Sequence, residues 1–302
     1  METLTRRATA AVLAVLLVSA AATASEKEAV LLDKLRARID TVEQGLDGVL
    51  GVAVRDLKTG VTIAIRPDEV FPQASSIKLA ILYELYRQAE EGRLDLAETT
   101  RPGRPRVGGG GVLQVLGDRV SLTWRDLAVL MMGWSDNEAT NLLIDRLGMA
   151  AVNQRLDLLE LPRTRLQRKM MDLQAAAQGR ENVSTPAEML RLIETVYRGA
   201  GLSPARAKDL LDVAAVEKES PFRVPLPAGL RVLDKPGSLE GVRCVTAVVD
   251  VPNRPYAAAI MTTYLRRDED GAAAIRAISA ALFETFDRLS RASEHGRVIS
   301  ER

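Results

Sequence analysis

The sequence predicts an α+β fold in which an antiparallel sheet, assembled from both ends of the chain and flanked by helices, is interrupted by an all-helical segment. Three observations carry this expectation. Short β-branched runs occur near residues 50–65 and again beyond residue 230, the stretch between them has apolar residues at helical spacing, and tight turns join neighbouring strands. With 302 residues, 47% hydrophobic and 27% charged, the chain has the composition of an ordinary soluble protein with a sizeable core.

Residues 1–24 carry Arg6 and Arg7, an apolar run from Ala10 to Val18 and the small-x-small triplet Ala22-Thr23-Ala24. This is the pattern of a secretory signal peptide, and the run is shorter than the ~20 residues that span a bilayer. The protein is therefore expected to be periplasmic or secreted, with no membrane attachment after cleavage. A lipid anchor at the cleavage point is excluded, since the only cysteine is Cys244.

Leu50–Asp56 and Val61–Ile65 read as a hairpin around Leu57-Lys58-Thr59-Gly60. From Ser75 to about Val213 the pattern is helical, with Ile77, Leu79, Ala80, Leu82, Leu85 and Tyr86 on one side and Leu127, Leu130 and Met131 on one side of a later helix. Strands return at Leu230–Leu233, Arg243–Asp250 and Tyr256–Tyr264, the last two joined by Pro252-Asn253-Arg254-Pro255, before a helix from Gly271 to Leu289. The expected organisation is a discontinuous sheet unit, 25–70 with 214–302, and a helical unit, 71–213, with a cleft between them.

The 41 Lys and Arg nearly balance the 40 Asp and Glu, and no basic stripe is present, so nucleic acid is not an expected partner. A single histidine, His295, and a single cysteine exclude a Cys/His zinc site, an internal disulfide and any mechanism needing two histidines. A Ser-His-Asp triad would have to use His295, close to the C-terminus. Cys244 lies in an apolar stretch and reads as a buried strand residue. Gly108 to Gly111 read as a flexible turn because no Gly-Lys-Ser/Thr follows, and Met131, Met132, Met170 and Met171 read as core.

Three short constellations carry chemistry. Ser75-Ser76-Ile77-Lys78 opens a helix, and its i,i+3 spacing places Ser75 and Lys78 on one face, so that a desolvated amine can serve as base for the hydroxyl. Alone, the pair also fits a helix cap and a solvated lysine. In Ser135-Asp136-Asn137, the serine can relay a proton, the aspartate hold the turn, and the Asn137 amide bind both the lysine and a substrate carbonyl; a helix-capping loop is the alternative. Asp234-Lys235-Pro236-Gly237-Ser238 ends an apolar strand, where Lys235 can bind a carboxylate and Gly237 admit a substrate close to the backbone. A bare Lys-Pro-Gly more often makes a turn. Arg243 adds a second carboxylate contact or is an ordinary exposed strand arginine.

In this order the three motifs resemble those of the serine β-lactamase and penicillin-binding protein superfamily, and specifically the class A β-lactamase pattern. The resemblance extends through Gly51-Val52-Ala53-Val54, Thr59-Gly60, Leu122-Thr123, Asn141-Leu142-Leu143 and Ser184-Thr185-Pro186. It implies a serine β-lactamase-like fold, Ser75 as acylated nucleophile, Lys78 as base or proton shuttle, Ser135 as relay, and Asn137 and Lys235 as substrate contacts. The N–H groups of Ser75 and Ser238 would then form the oxyanion hole. No metal or organic cofactor is implied, and a monomer is expected.

Two departures qualify the resemblance. Pro236 stands where the family has a hydroxyl residue after the third-motif lysine. In Arg168-Lys169-Met170-Met171-Asp172, Met170 occupies the place of the glutamate that activates water in the family's Ω-loop, and a thioether is no base. Asp172 is the nearest carboxylate, and its recruitment would need a shifted loop. Asn182 stands where an aspartate usually pairs with the loop arginine, with Glu181 adjacent as a substitute. The resulting expectation is β-lactam acylation and hydrolysis with slow deacylation. A penicillin-binding or peptidase-like enzyme acting on peptidoglycan-type peptides and a non-catalytic binding module are the alternatives.

Overall fold

The computed structural model describes residues 25–103, 105–117, 119–293 and 295–299; the expected signal segment lies outside them. Ser25 caps the first helix, α1 (Glu26–Gly45), its hydroxyl accepting the Glu28 N–H while the Glu28 carboxylate accepts the Ser25 N–H. The hairpin β1 (Val49–Asp56) and β2 (Thr62–Ile65) follows as the sequence predicts. Its turn is held by Asp56, which accepts the N–H groups of Lys58 and Thr59 and the Thr59 hydroxyl.

After β3 (Phe71–Pro72), a 3₁₀ turn over Ala74–Ile77 leads directly into α2 (Lys78–Glu90). The helical middle continues with β4 (Thr99–Thr100), β5 (Leu122–Thr123), α3 (Trp124–Gly133), α4 (Asn137–Leu147), α5 (Met149–Leu158), α6 (Leu173–Ala177), β6 (Val183–Ser184), α7 (Pro186–Tyr197) and α8 (Pro204–Ala215). Helix starts follow capping chemistry: Thr123 with Asp126 begins α3, Asp136 begins α4, and Thr185 with Pro186 begins α7. The chain closes with β7 (Val232–Leu239), β8 (Val242–Val249), β9 (Tyr256–Thr263) and α9 (Asp268–Ser290).

The main sheet has the order β2-β1-β9-β8-β7, with every neighbouring pair antiparallel. Successive side chains alternate between its faces. Val52, Val54, Val245, Ala247 and Ile260 pack toward α1 and α9, whereas Ala53, Cys244, Ala257, Ala259 and Met261 pack toward the helical middle. The alanines of β9 leave room for α7 to lie close against that face. Both faces are thus buried, and truncating a core residue such as Ile260 to alanine is expected to cost about 2–5 kcal/mol.

One element departs from the expected boundaries. The strand predicted over Leu230–Leu233 begins at Val232 and continues straight through Asp234-Lys235-Pro236-Gly237-Ser238 to Leu239, so the turn reading of that motif is corrected. The pairing Lys235↔Thr246 and Gly237↔Cys244 carries the extended conformation. Pro236 is compatible with it because β7 is an edge strand, where a residue whose nitrogen faces outward loses no ladder bond. This edge lies beside the Ala74–Ile77 turn, and the Ser76 hydroxyl donates to the Lys235 carbonyl at 2.8 Å.

Candidate active site

A cleft of about 800 Å³ opens between the β7 edge and the helical middle. Of the residues singled out from the sequence, Ser75, Ser135, Asn137, Lys235, Gly237, Ser238 and Arg243 all line it. Lys78 is fully buried at the first position of α2, just behind Ser75.

The meeting point is the Ser135 hydroxyl. It donates to Ser75 Oγ at 2.9 Å and accepts from Lys78 Nζ at 3.0 Å and Lys235 Nζ at 3.1 Å. One donor and two acceptor lone pairs are all that a hydroxyl has, so Ser135 is saturated. Lys78 Nζ also donates to the Ser135 carbonyl at 2.7 Å and to Asn137 Oδ1 at 3.0 Å. The helical spacing predicts a direct reach from Lys78 to Ser75, whereas the structure connects the two through Ser135. Burial holds the Lys78 ammonium well below the usual lysine range, and the positive charge of Lys235 adds to this against the opposing Asp136. Burial, then the charge of Lys218, brings Lys235 down to about 7, with Asp234 and Cys244 acting the other way.

Local backbone strain positions these groups. Ala74 and Ser135 have φ of 43° and 51°, conformations that cost a non-glycine residue about 1–3 kcal/mol and persist only where the surroundings enforce them. For Ser135 the enforcement comes from Asp136. Its Oδ1 accepts the Ala139 N–H, and its Oδ2 accepts the N–H groups of Val112 and Leu113, tying the start of α4 to the glycine run. Asn137 Nδ2 donates to the Gly108 carbonyl at 3.1 Å, which leaves its second amide hydrogen for a ligand. Gly109 and Gly110 line the cleft. The glycine run, a plain turn by its sequence, is therefore part of the site, and only its contacts with Asn137 and Asp136 reveal it.

Gly237 is required by proximity. A Cβ there would stand 2.7 Å from the Gln73 carbonyl oxygen, 2.6 Å from Cys244 Sγ and 3.0 Å from the Ser75 nitrogen. Cys244 is buried as expected, and it also contributes to the cleft floor, its thiol donating to the Gln73 carbonyl at 3.2 Å.

The loop opposite keeps its closure with different residues. Arg168 pairs with Glu181 through Nη2 at 2.8 Å and Nε at 3.1 Å, so Glu181 takes the role considered for it. Asn182 Oδ1 accepts the N–H groups of Gln167 and Arg168, and its Nδ2 donates to the Arg168 carbonyl. Asn141 clamps the Met170 backbone by accepting its N–H at 2.8 Å and donating to its carbonyl at 3.0 Å. The Met170 side chain is buried and faces the cleft; Met171, taken as core from the sequence, is 44% exposed and lines the cleft as well.

Two sequence expectations are corrected. Asp172 is exposed, lies outside the cleft lining and accepts the Ala175 N–H at 2.9 Å as the cap of α6, so the loop shift needed to recruit it is absent. Arg243 is neither a free carboxylate binder nor an ordinary exposed residue. Its Nη1 donates to the carbonyls of Leu239 and Val242, and its Nη2 lies 2.8 Å from Asp268.

The model of the beta-lactamase enzyme family matches residues 34–286. The chain belongs to the class A β-lactamase family. Among its relatives, β-lactamase ROB-1 of Haemophilus influenzae is 32% identical over 74% of each chain. A β-lactamase structure from Sphaerobacter thermophilus superposes with a TM-score of 0.76 at 28% identity, covering 84% of this chain and 97% of that one. A PBP-A mutant, solved as an acyl-enzyme complex with penicillin G, gives 0.77 at 29% identity, covering 85% and 97%. This class A family member is accordingly a β-lactamase-like serine hydrolase with the α+β fold the sequence predicts.

Proposed function

We propose that Ser75 opens β-lactam rings by forming an acyl-enzyme that water then resolves slowly. The observation that carries this reading is the Ser135 hydroxyl, within hydrogen-bond distance of Ser75 Oγ, Lys78 Nζ and Lys235 Nζ together. Burial favours the neutral amine of Lys78, which has the lone pair to take a proton. With Lys78 neutral the two hydrogen bonds reverse, the Ser75 hydroxyl donating to Ser135 and the Ser135 hydroxyl to Lys78 Nζ; along them the Ser75 proton passes to Ser135 as Ser135 passes its own to Lys78, and Ser75 Oγ bonds to the ring carbonyl carbon. The carbon–nitrogen bond breaks, and the proton returns through Ser135 to the ring nitrogen. Backbone N–H groups of Ser75 and Ser238 hold the oxyanion, a contribution of ~3–4 kcal/mol each. Lys235 takes the substrate carboxylate, the free amide hydrogen of Asn137 takes a substrate carbonyl, and Arg243 adds positive charge to the wall while bound to Asp268.

The second half-reaction lacks a base. Among the described residues that line the cleft the only carboxylate is Glu219, which comes from the segment after α8 and not from the loop that carries Met170. The acyl-enzyme should therefore accumulate. Intact-mass analysis of the purified protein with a chromogenic cephalosporin tests this: one adduct on Ser75 that outlives the burst of colour is expected, and an adduct elsewhere would sink the nucleophile assignment.

The likeness to PBP-A supports a second reading, acyl transfer on peptidoglycan-type peptides, in which a slow reaction with water is no defect. Release of the terminal residue from such a peptide, faster than β-lactam turnover, would favour it. With no adduct from several reactive β-lactams, a binding module remains. Export to the periplasm or beyond and a monomeric state complete the proposal; the capped start of α1 at Ser25 supports cleavage just before it, and N-terminal sequencing of the mature protein checks this.

A further inference from the structure

Behind the cleft lies a cation that belongs to none of the three motifs. Lys218, in the segment after α8, has a side chain only 2% exposed. Its Nζ donates to the carbonyls of Ala214 at 3.0 Å and Asp234 at 3.1 Å and lies 3.3 Å from Asp234 Oδ1. Arg223 Nε reaches the same carboxylate oxygen at 2.9 Å. Asp234 Oδ2 has no hydrogen-bond partner. One carboxylate thus answers two cations, and since Arg223 stays charged at any ordinary pH, Lys218 is the surplus.

Lys235 is the next residue along β7 and projects to the opposite face from Asp234. Its Nζ bonds only the Ser135 hydroxyl and the Pro236 carbonyl, with no carboxylate in contact. Around it stand Lys78 from α2, Asp136 before α4, Cys244 from β8, Arg243 and Glu219 in the cleft wall, and Asp234, Lys218 and Arg223 behind. The Asp136 oxygens are taken by backbone N–H groups, and burial pushes the Cys244 thiol up to about 11, so neither supplies Lys235 with a paired anion near neutral pH. The charge of Lys218 is the largest effect on Lys235 after burial itself. Burial also lowers Lys218, to about 8, against the pull of Asp234.

We propose that Lys218 is a positioning residue that sets the pH above which Lys235 ceases to hold a substrate carboxylate. The inference rests on the reading of Lys235 as the carboxylate contact. A bound carboxylate favours the charged lysine, so the loss belongs to the free enzyme. It should appear as a falling limb above about pH 7 in kcat/KM for acylation, with the acylation rate at saturation flat across the same range. Removing the Lys218 charge raises the Lys235 value and moves this limb to higher pH.

The test measures acylation by benzylpenicillin between pH 5.5 and 10 in the wild type, Lys218→Met, Lys218→Gln and Lys218→Arg. The proposal expects the limb to move up by about one unit in the Met and Gln variants, a roughly tenfold gain in kcat/KM on the descending side, and to return in the Arg variant. A residue that only supports the fold would change the height of the profile and leave the limb in place. Should the neutral variants fail to fold, the wild type decides: an acyl donor without a carboxylate must lose the limb, and a limb that persists with it overturns the proposal. Binding of benzylpenicillin to Ser75→Ala and to Ser75→Ala/Lys218→Met reads the same limb without chemistry. A limb that moves with Lys218 there, beside a wild type that is never acylated, would refute the acylation reading alone. A limb indifferent to Lys218 in both measurements refutes the present one alone.

Discussion

The two walls of the cleft use their polar groups differently. On the wall of Ser75, Lys78, Ser135 and Lys235, side-chain oxygens and nitrogens converge on a single hydroxyl at the cleft surface. On the facing loop, the polar groups turn inward on the loop itself: Arg168 to Glu181, Asn182 to the backbone, Asp172 to the start of α6. Toward the cleft that loop presents the thioethers and hydrocarbon of Met170, Met171 and Leu173, together with Arg168 and Asn182, whose polar groups are bonded within the loop. The shape of a catalytic loop and its chemistry are therefore separable, because closure depends on contacts within the loop and not on the group it presents.

The largest effect should come from the first wall. Lys78→Ala removes the proton acceptor and is expected to slow acylation ~10²–10⁴-fold, read by stopped-flow with a chromogenic cephalosporin. An effect under threefold would mean that the network around Ser135 does not activate Ser75. Next comes the facing wall: Met170→Glu should speed decay of the isolated acyl-enzyme by ~10²-fold, the low end for a general base, since Asn141 already fixes the backbone there. If decay stays unchanged while the loop remains closed, position 170 does not face the ester.

Smaller effects separate closure from chemistry. Glu181→Gln leaves a mostly buried Arg168 without its anion and should lower stability in urea by about 1 kcal/mol, a discounted figure because Glu181 is 28% exposed. Acylation should scarcely change. Asp172→Asn keeps a capping side chain and should leave turnover within about twofold of wild type, since asparagine caps a helix as well as aspartate. Abolished turnover in that variant would restore Asp172 as the base and overturn the loop alignment.

Much of this was legible from residue order. The hairpin, the helical middle and the three motifs each rest on local pattern, and the substitution of Glu181 for the usual partner of Arg168 could be named in advance because the two residues are adjacent in the expected motif. What escaped depends on partners distant in sequence. The sequence placed the motif at the end of a strand and left a turn open as the alternative at Pro236 and Gly237, because propensity carries no information about which strand lies at a sheet edge or what pairs with it. The helical spacing of Ser75 and Lys78 fixes their face, but the end of a four-carbon stem goes where acceptors stand, and these are Ser135 and Asn137. The glycine run joined the site only through Asp136 and Asn137, and Lys218 is a single lysine in a polar stretch, meaningful only once Asp234 and Arg223 surround it.

In the proposed function the substrate lies along the flank of β7, which must then stay open beyond its contact with the Ala74–Ile77 turn, and an uncovered strand edge invites other strands to pair with it. Pro236 sits in the middle of that flank with no N–H to offer. A second polypeptide trying to extend the sheet meets a gap in the donor row, whereas the acyl donor of the proposed function would need only the single N–H of Ser238 beyond it. The proline that removes a familiar hydroxyl therefore also disfavours an added strand over a short guest, and works against edge-to-edge aggregation of the folded chain.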